Sequence, residues 1–209
     1  MKKILKLLIV FNTWFFFVLI IPSFSKPLLD EADIETYLNS IKTLKADIIQ
    51  ISSNGEVETG TLLLKKPGQL RFEYDAPSSH LVIASGPLLV IIDKKSNSEP
   101  QRYLSSQTPI GYLLAEKIKF YKNAFPKAIF SKKEYTHLLL YDPNEPSTGE
   151  LELVFLRNPI SLKEWSITNY SGEKTRVLLE TLTLNEPLDK KYFNIGHEIS
   201  KVRRNLSKN

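Results

Sequence analysis

Along the chain, apolar positions recur first at helical spacing and then at alternating spacing. Ile34, Tyr37, Leu38, Ile41 and Leu44 lie three or four residues apart, which places them on one stripe of a helix. Asp30 precedes them as a candidate N-cap, and Glu31, Asp33 and Glu35 put negative charge in the first turn, where the helix dipole favours it. At Leu44 the period changes to two: Leu44, Ala46, Ile48 and Gln50 share one face, and Ile49 and Ile51 the other. The helix therefore runs directly into a strand. Asn54-Gly55 tolerates positive φ values and marks the hairpin turn that follows.

Short apolar runs then succeed one another between turn signals. Residues 57–66, 70–74, 80–84, 88–93 and 102–104 read as strands, separated by Pro67-Gly68, Asp75-Ala76-Pro77, Ser85-Gly86-Pro87 and the polar run Lys94 to Asn97. This is the spacing of an antiparallel meander. From Gln107 to Lys119 the pattern is interrupted: Ile110, Leu113, Leu114 and Ile118 form a short apolar stripe behind Thr108-Pro109, which predicts a second helix with Thr as N-cap and Pro in its first turn. Strands resume at 128–131, 137–141, 151–156, 161–168 and 175–184. After a last apolar element at 192–195, the basic stretch 201–209 reads as a flexible tail.

Several of these strands, such as Thr61 to Leu64 and Leu88 to Ile92, are apolar on both faces. Two short helices cannot cover a flat sheet of about ten or eleven strands. The expected fold is therefore mainly antiparallel β, a strongly curved, barrel-like sheet whose helices close its mouth. No repeat or internal linker appears, so residues 26–200 read as one domain.

The N-terminus changes the picture of the charge. Lys2, Lys3 and Lys6 precede an apolar run from Leu7 to Ile21, followed by Pro22-Ser23-Phe24-Ser25. This is the layout of a secretory signal peptide cut after Ser25; a retained anchor is the alternative, the run being not far short of the roughly 20 apolar residues that span a bilayer. The whole chain has 28 basic and 23 acidic side chains. Losing residues 1–25 removes three lysines and no acid, which leaves the remaining 184 residues near neutrality and weakens a nucleic-acid reading based on charge. Cysteine is absent, so the chain has no lipidation site at the cut, no thiol nucleophile, no Cys-based zinc site and no disulfides. Stability must come from core burial, which a domain of this size can supply.

Candidate chemistry is sparse. The three histidines, His80, His137 and His197, fall in separate segments with no nucleophile elbow or metal-ligand spacing. The eight glycines stand singly and build no phosphate-cradling loop. Glu150 and Glu152 share one strand face and read as solvated. Neither enzymatic activity nor a cofactor is expected. What remains is an excess of apolar positions, and periodicity alone cannot say whether they fill a core or line a cavity.

The order of motifs resembles the periplasmic outer-membrane lipoprotein carrier family, LolA, over nearly the whole exported chain. Leu44-x-Ala46-x-Ile48-x-Gln50 is similar to the family's first strand, Gly60 through Gly68 to its Gly-x-(apolar)3-Lys/Arg-Arg-Pro-Gly strand, and Leu70-Arg71-Phe72-Glu73-Tyr74-Asp75-x-Pro77 to its Phe-Arg-Trp-x-Tyr-x-x-Pro strand. Leu81 to Gly86, Thr108-Pro109 with Leu113-Leu114, Leu151-x-Leu153-Val154-Phe155 and Leu162-x-x-Trp165 continue in the same order. The resemblance implies an unclosed barrel with a helical lid over an apolar cavity. Leu38, Leu62, Leu64, Leu70, Phe72, Leu113 and Leu114 would then form cavity and lid, and Lys66 would be the lid latch, at a position where the family usually carries Arg. Phe72 stands where the family usually has Trp. The implied role is that of a monomeric periplasmic carrier of lipoprotein acyl chains, served by an inner-membrane ATP-driven release complex and an outer-membrane acceptor lipoprotein. A carrier of another hydrophobic ligand and a lipoprotein-sensing regulatory module are the alternatives.

Overall fold

In the computed structural model, which describes residues 29–208, eleven strands form one antiparallel sheet. The expected signal segment, with its cut after Ser25, lies outside the described residues. The elements are α1 (Glu31–Ser40), β1 (Thr43–Ile51), β2 (Val57–Lys65), β3 (Gln69–Tyr74), β4 (His80–Ser85), β5 (Leu88–Asp93) and β6 (Gln101–Leu104), then α2 (Gly111–Leu114), β7 (Phe125–Lys132), β8 (Tyr135–Tyr141), β9 (Glu150–Arg157), β10 (Ile160–Thr168), β11 (Lys174–Leu184) and α3 (Ile195–Leu206).

The strand order is β6-β5-β4-β3-β2-β1-β11-β10-β9-β8-β7. Two meanders are thus joined where β1 pairs with β11, and β6 and β7 remain as free edges. The sheet curves without closing. Both edges carry features that discourage pairing with other chains: β6 has only four residues, and β7 contains Pro126 and a bulge between Pro126 and Ala128. The chain crosses from one edge to the other through residues 105–124, and this crossover lies over the opening.

Side chains of the concave face meet α1 and the crossover in one cluster, which includes Leu44, Leu62 and Phe72 from one meander, Leu138, Phe155 and Trp165 from the other, and Ile34, Leu38, Leu113 and Ile118 from the cover. A bulge makes part of this possible. In β10 the register slips between Leu162 and Glu164, so Leu162 and Trp165, three residues apart, both point inward instead of to opposite faces. The freed Leu162 N–H donates to the Tyr37 hydroxyl at 3.0 Å, and Tyr37 packs edge-on against Phe155 with centroids 5.9 Å apart.

The N-terminal helix forms as expected from sequence. Asp30 caps it through Asp33 N at 2.8 Å, and Asp33 returns the bond to Asp30 N at 3.3 Å. Two expectations are corrected. The second helix, expected over 107–119, is a 3-10 turn at Ser105–Gln107 followed by a single α turn, α2, after which Ala115 turns extended. Tertiary bonds replace helical ones here: the N–H and C=O of Ile118 are both taken by the carboxamide of Asn39 on α1. The stretch expected to be a flexible tail from 201 is helical to Leu206. The apolar residues Ile195, Ile199, Val202 and Leu206 of α3 cover Leu81, Ile83, Val90 and Ile92 on the convex face of β4 and β5. An asparagine N-cap, Asn194, and Arg203 and Arg204 in the last turn suit the helix at both ends.

Candidate ligand cavity and its lid

The interior divides into a filled half and an empty half. Around α1 the half-barrel is solid: Leu38, Leu62, Leu64, Leu113 and Leu114 are each at most 4% exposed and pack against one another and their neighbours. At the other end lies an apolar cavity of about 430 Å³, a size typical of small-molecule sites. Its walls are Leu70, Phe72, Val82, Leu89, Trp165 and Val177, and Pro109 and Ile110 of the crossover form its roof. Of the seven apolar positions expected at the site, Leu70 and Phe72 thus line the cavity, and the other five belong to the packed half and to the segments that cover it.

The cavity wall is aromatic at its centre. Phe72 meets Trp165 edge-on at 6.1 Å and stacks on Tyr74 at 6.2 Å, arrangements that favour ordered rings over a loose wall. Tyr74 brings a polar group to this wall: its hydroxyl donates to Gln50 Oε1 at 2.8 Å. Burial, with the Glu58 carboxylate nearby, pushes the Tyr74 hydroxyl well above the usual tyrosine range, so it stays neutral and serves as a donor. At the rim stand Tyr170, 83% exposed, and Tyr103, 45% exposed. A second, more polar groove of about 630 Å³ lies on the other side of the crossover, and Thr108 and Thr148 line both spaces. The crossover is therefore a thin partition between an apolar pocket and an open polar groove.

Besides the Leu162 N–H to Tyr37 bond, two sets of polar bonds help to hold this cover. One comes from the loop after β2: Lys66 Nζ donates to Leu38 O at 2.8 Å, and Gly68 N donates to Leu114 O at 2.9 Å. Lys66 thus binds a carbonyl of the last turn of α1, one of the groups a helix terminus leaves unpaired. Burial, with a smaller contribution from the Lys42 charge, lowers the Lys66 ammonium from 10.5 to about 8.

The other set joins the two covering pieces to each other. Glu31, Glu35 and Asn39 lie four residues apart on one face of α1. Glu31 Oε1 accepts from the Tyr121 hydroxyl at 2.8 Å, Glu35 Oε2 accepts from Phe120 N at 2.9 Å, and Asn39 makes two 2.8 Å bonds to Ile118. From the sequence the two glutamates read as helix-dipole partners, and Asn39 carries no signal of its own. The spacing that marks the face was legible, but its partners lie 79 to 90 residues away.

Outside this region the three histidines lie on separate elements. His80 and His197 are exposed, and His137 on the convex face contacts Glu152 Oε1 at 3.0 Å and stacks on Phe130. Glu152, expected to be solvated, is instead the acceptor for His137, Ser166 and Lys174. Among the described residues no group of three His, Asp or Glu side chains could hold a metal ion.

The architecture is thus a curved antiparallel sheet, open at one seam and covered by polar-fastened segments over an apolar pocket. The chain belongs to the family described as outer membrane lipoprotein carrier protein LolA, whose model matches residues 39–196. It is similar to the outer-membrane lipoprotein carrier protein of Coxiella burnetii, 25% identical over 75% of this chain and 77% of that one. It is also similar to that of Pseudomonas aeruginosa, 27% identical over 75% of this chain and 78% of the other. Among solved structures, a LolA superfamily protein from Nitrosomonas europaea aligns with 81% of this chain and 99% of its own, at 14% identity and a TM-score of 0.45.

Proposed function

We propose that this protein binds the acyl chains of lipoproteins inside the half-barrel and carries them through the periplasm from the inner to the outer membrane. The observation that carries the reading is the apolar cavity roofed by the crossover, together with family membership. Each CH₂ of an acyl chain exposed to water costs about 0.8 kcal/mol, a cost that a sealed apolar site removes in transit. In this reading the filled half of the barrel is the space that longer cargo takes over. The bonds from Glu31, Glu35 and Asn39 make α1 and the crossover move as one lid, and the bonds from Lys66, Gly68 and Leu162 N–H to this cover are among those that must break for it to lift. Loading from an ATP-driven inner-membrane complex, delivery to an outer-membrane acceptor, and export by the segment 1–25 belong to the same proposal.

Trp165 makes the test direct, since the other tryptophan, Trp14, lies in the segment removed on export. An acylated peptide should displace an apolar dye from the purified protein and shift the Trp165 emission, and mass spectrometry of the protein taken from cells should find bound lipoprotein. Recovery of free phospholipid alone, with an acylated peptide unable to displace the dye, would assign the cavity to another lipid.

A further inference from the structure

Charge is distributed unevenly along the chain. Residues 26–189 hold 19 basic and 22 acidic side chains, whereas residues 190–209 hold six basic and one acidic. The positive segment begins at the turn Lys190–Phe193 and continues as α3. The family match ends at residue 196, so α3 lies almost wholly beyond it.

The fold turns this surplus outward. The single acid of the segment, Glu198, is 8% exposed and faces inward to Arg71 at 3.3 Å. Arg203 pairs with Glu99 at 2.7 Å. His197, Lys201, Arg204 and Lys208 repeat at steps of four, three and four, the same steps as the apolar stripe beginning at Ile195 but two residues later. Two residues are about 200° around a helix, so His197, Lys201 and Arg204 lie opposite the buried stripe, and Lys208 follows just past the end of α3. All four side chains are exposed, and Lys201, Arg204 and Lys208 have no acidic partner among the described residues.

We propose that this face of α3 docks the protein on an anionic phospholipid surface. A row of long cationic side chains suits a plane of many equivalent phosphates better than a protein partner, whose binding energy concentrates in a few anchored side chains. Tyr192, 41% exposed and with the Lys191 ammonium 5.5 Å from its ring centre, adds an amphipathic side chain of the type that sits at headgroup level. The site is separate from the cavity: Val82 lines the cavity, while its neighbours Leu81 and Ile83 lie under α3 on the opposite face of the same strand. Docking through α3 thus leaves the lid and the rim of the cavity free.

The test is co-sedimentation of the protein, as the cell processes it, with vesicles of phosphatidylcholine alone or mixed with phosphatidylglycerol, at roughly 0.1 M salt. The parent should bind the mixed vesicles and leave the neutral ones. Each neutralised charge should weaken binding about fivefold, so Lys201→Gln, Arg204→Gln and Lys208→Gln together should weaken it on the order of 100-fold with an unchanged thermal midpoint. Lys132→Gln with Lys133→Gln, at the β7–β8 turn, should bind as the parent does. A triple variant that binds like the parent overturns the proposal, as does a parent that ignores both vesicles yet is captured by poly-glutamate. Dye displacement reads the cavity independently, so a failure here leaves the carrier reading standing.

Discussion

Replacing Lys66 by Met separates the two things its ammonium does. Met keeps the length of the stem and removes the charge and the bond to Leu38 O. Burial and the Lys42 charge lower the folded-state value from 10.5 to about 8, and a shift of that size corresponds to about 3 kcal/mol against the charged form. Because water still reaches the side chain, about 1–2 kcal/mol is the usable figure. The lost bond from a charged donor contributes about 1.5–3 kcal/mol in the other direction, so the variant should stay within about 1 kcal/mol of the parent at neutral pH. The pH dependence is the discriminating quantity. The folded-state value lies below the unfolded one, so the penalty is fully present below about 8 and is relieved as pH rises toward 10.5. In that window the unfolded chain binds more protons, and the parent should gain about 1–2 kcal/mol relative to Lys66→Met. Urea unfolding of both proteins between about pH 7 and about pH 10 measures the difference. The ionisation of tyrosines common to both cancels in it. A difference that stays constant across the range would refute the assignment of Lys66 as a half-buried ammonium destabilised by desolvation. An acyl-peptide exchange rate no faster in the variant than in the parent would remove it from the lid mechanism.

Two further substitutions probe other joints. Asn39→Leu strips both bonds that join α1 to Ile118 and should cost about 2–3 kcal/mol; on the proposed lid motion it loosens α1 from the crossover and speeds dye uptake, and slower uptake would count against a joined lid. Arg71→Met removes the partner of the buried Glu198 and the donor to Tyr192 O at 3.1 Å. It should cost about 3–5 kcal/mol, with hydrogen exchange rising first in 192–206; uniform acceleration would show that α3 is not an independently anchored unit.

What the sequence determined is set by short-range physics. The capped helix at 31–40, the switch to period two at Leu44, the succession of hairpins and the need for the sheet to curl are local in their causes, because turn chemistry and side-chain alternation act over a few residues. Leu70 and Phe72 at the cavity and Lys66 near the lid were also legible, through motif order. What tertiary structure alone decided depends on groups that meet across long separations. The stripe at 110–118 had helical spacing, yet Asn39 supplied the bonds a helix would have made and the segment stayed irregular. The basic stretch after 201 looked like a solvated tail because the apolar surface that fixes it, Leu81, Ile83, Val90 and Ile92, is more than a hundred residues earlier. Which apolar positions line empty space and which fill the core is likewise a question of where the two meanders and their cover come together. Hydrophobicity in a sequence reports that a side chain leaves water, and only packing determines whether another side chain or a ligand replaces it.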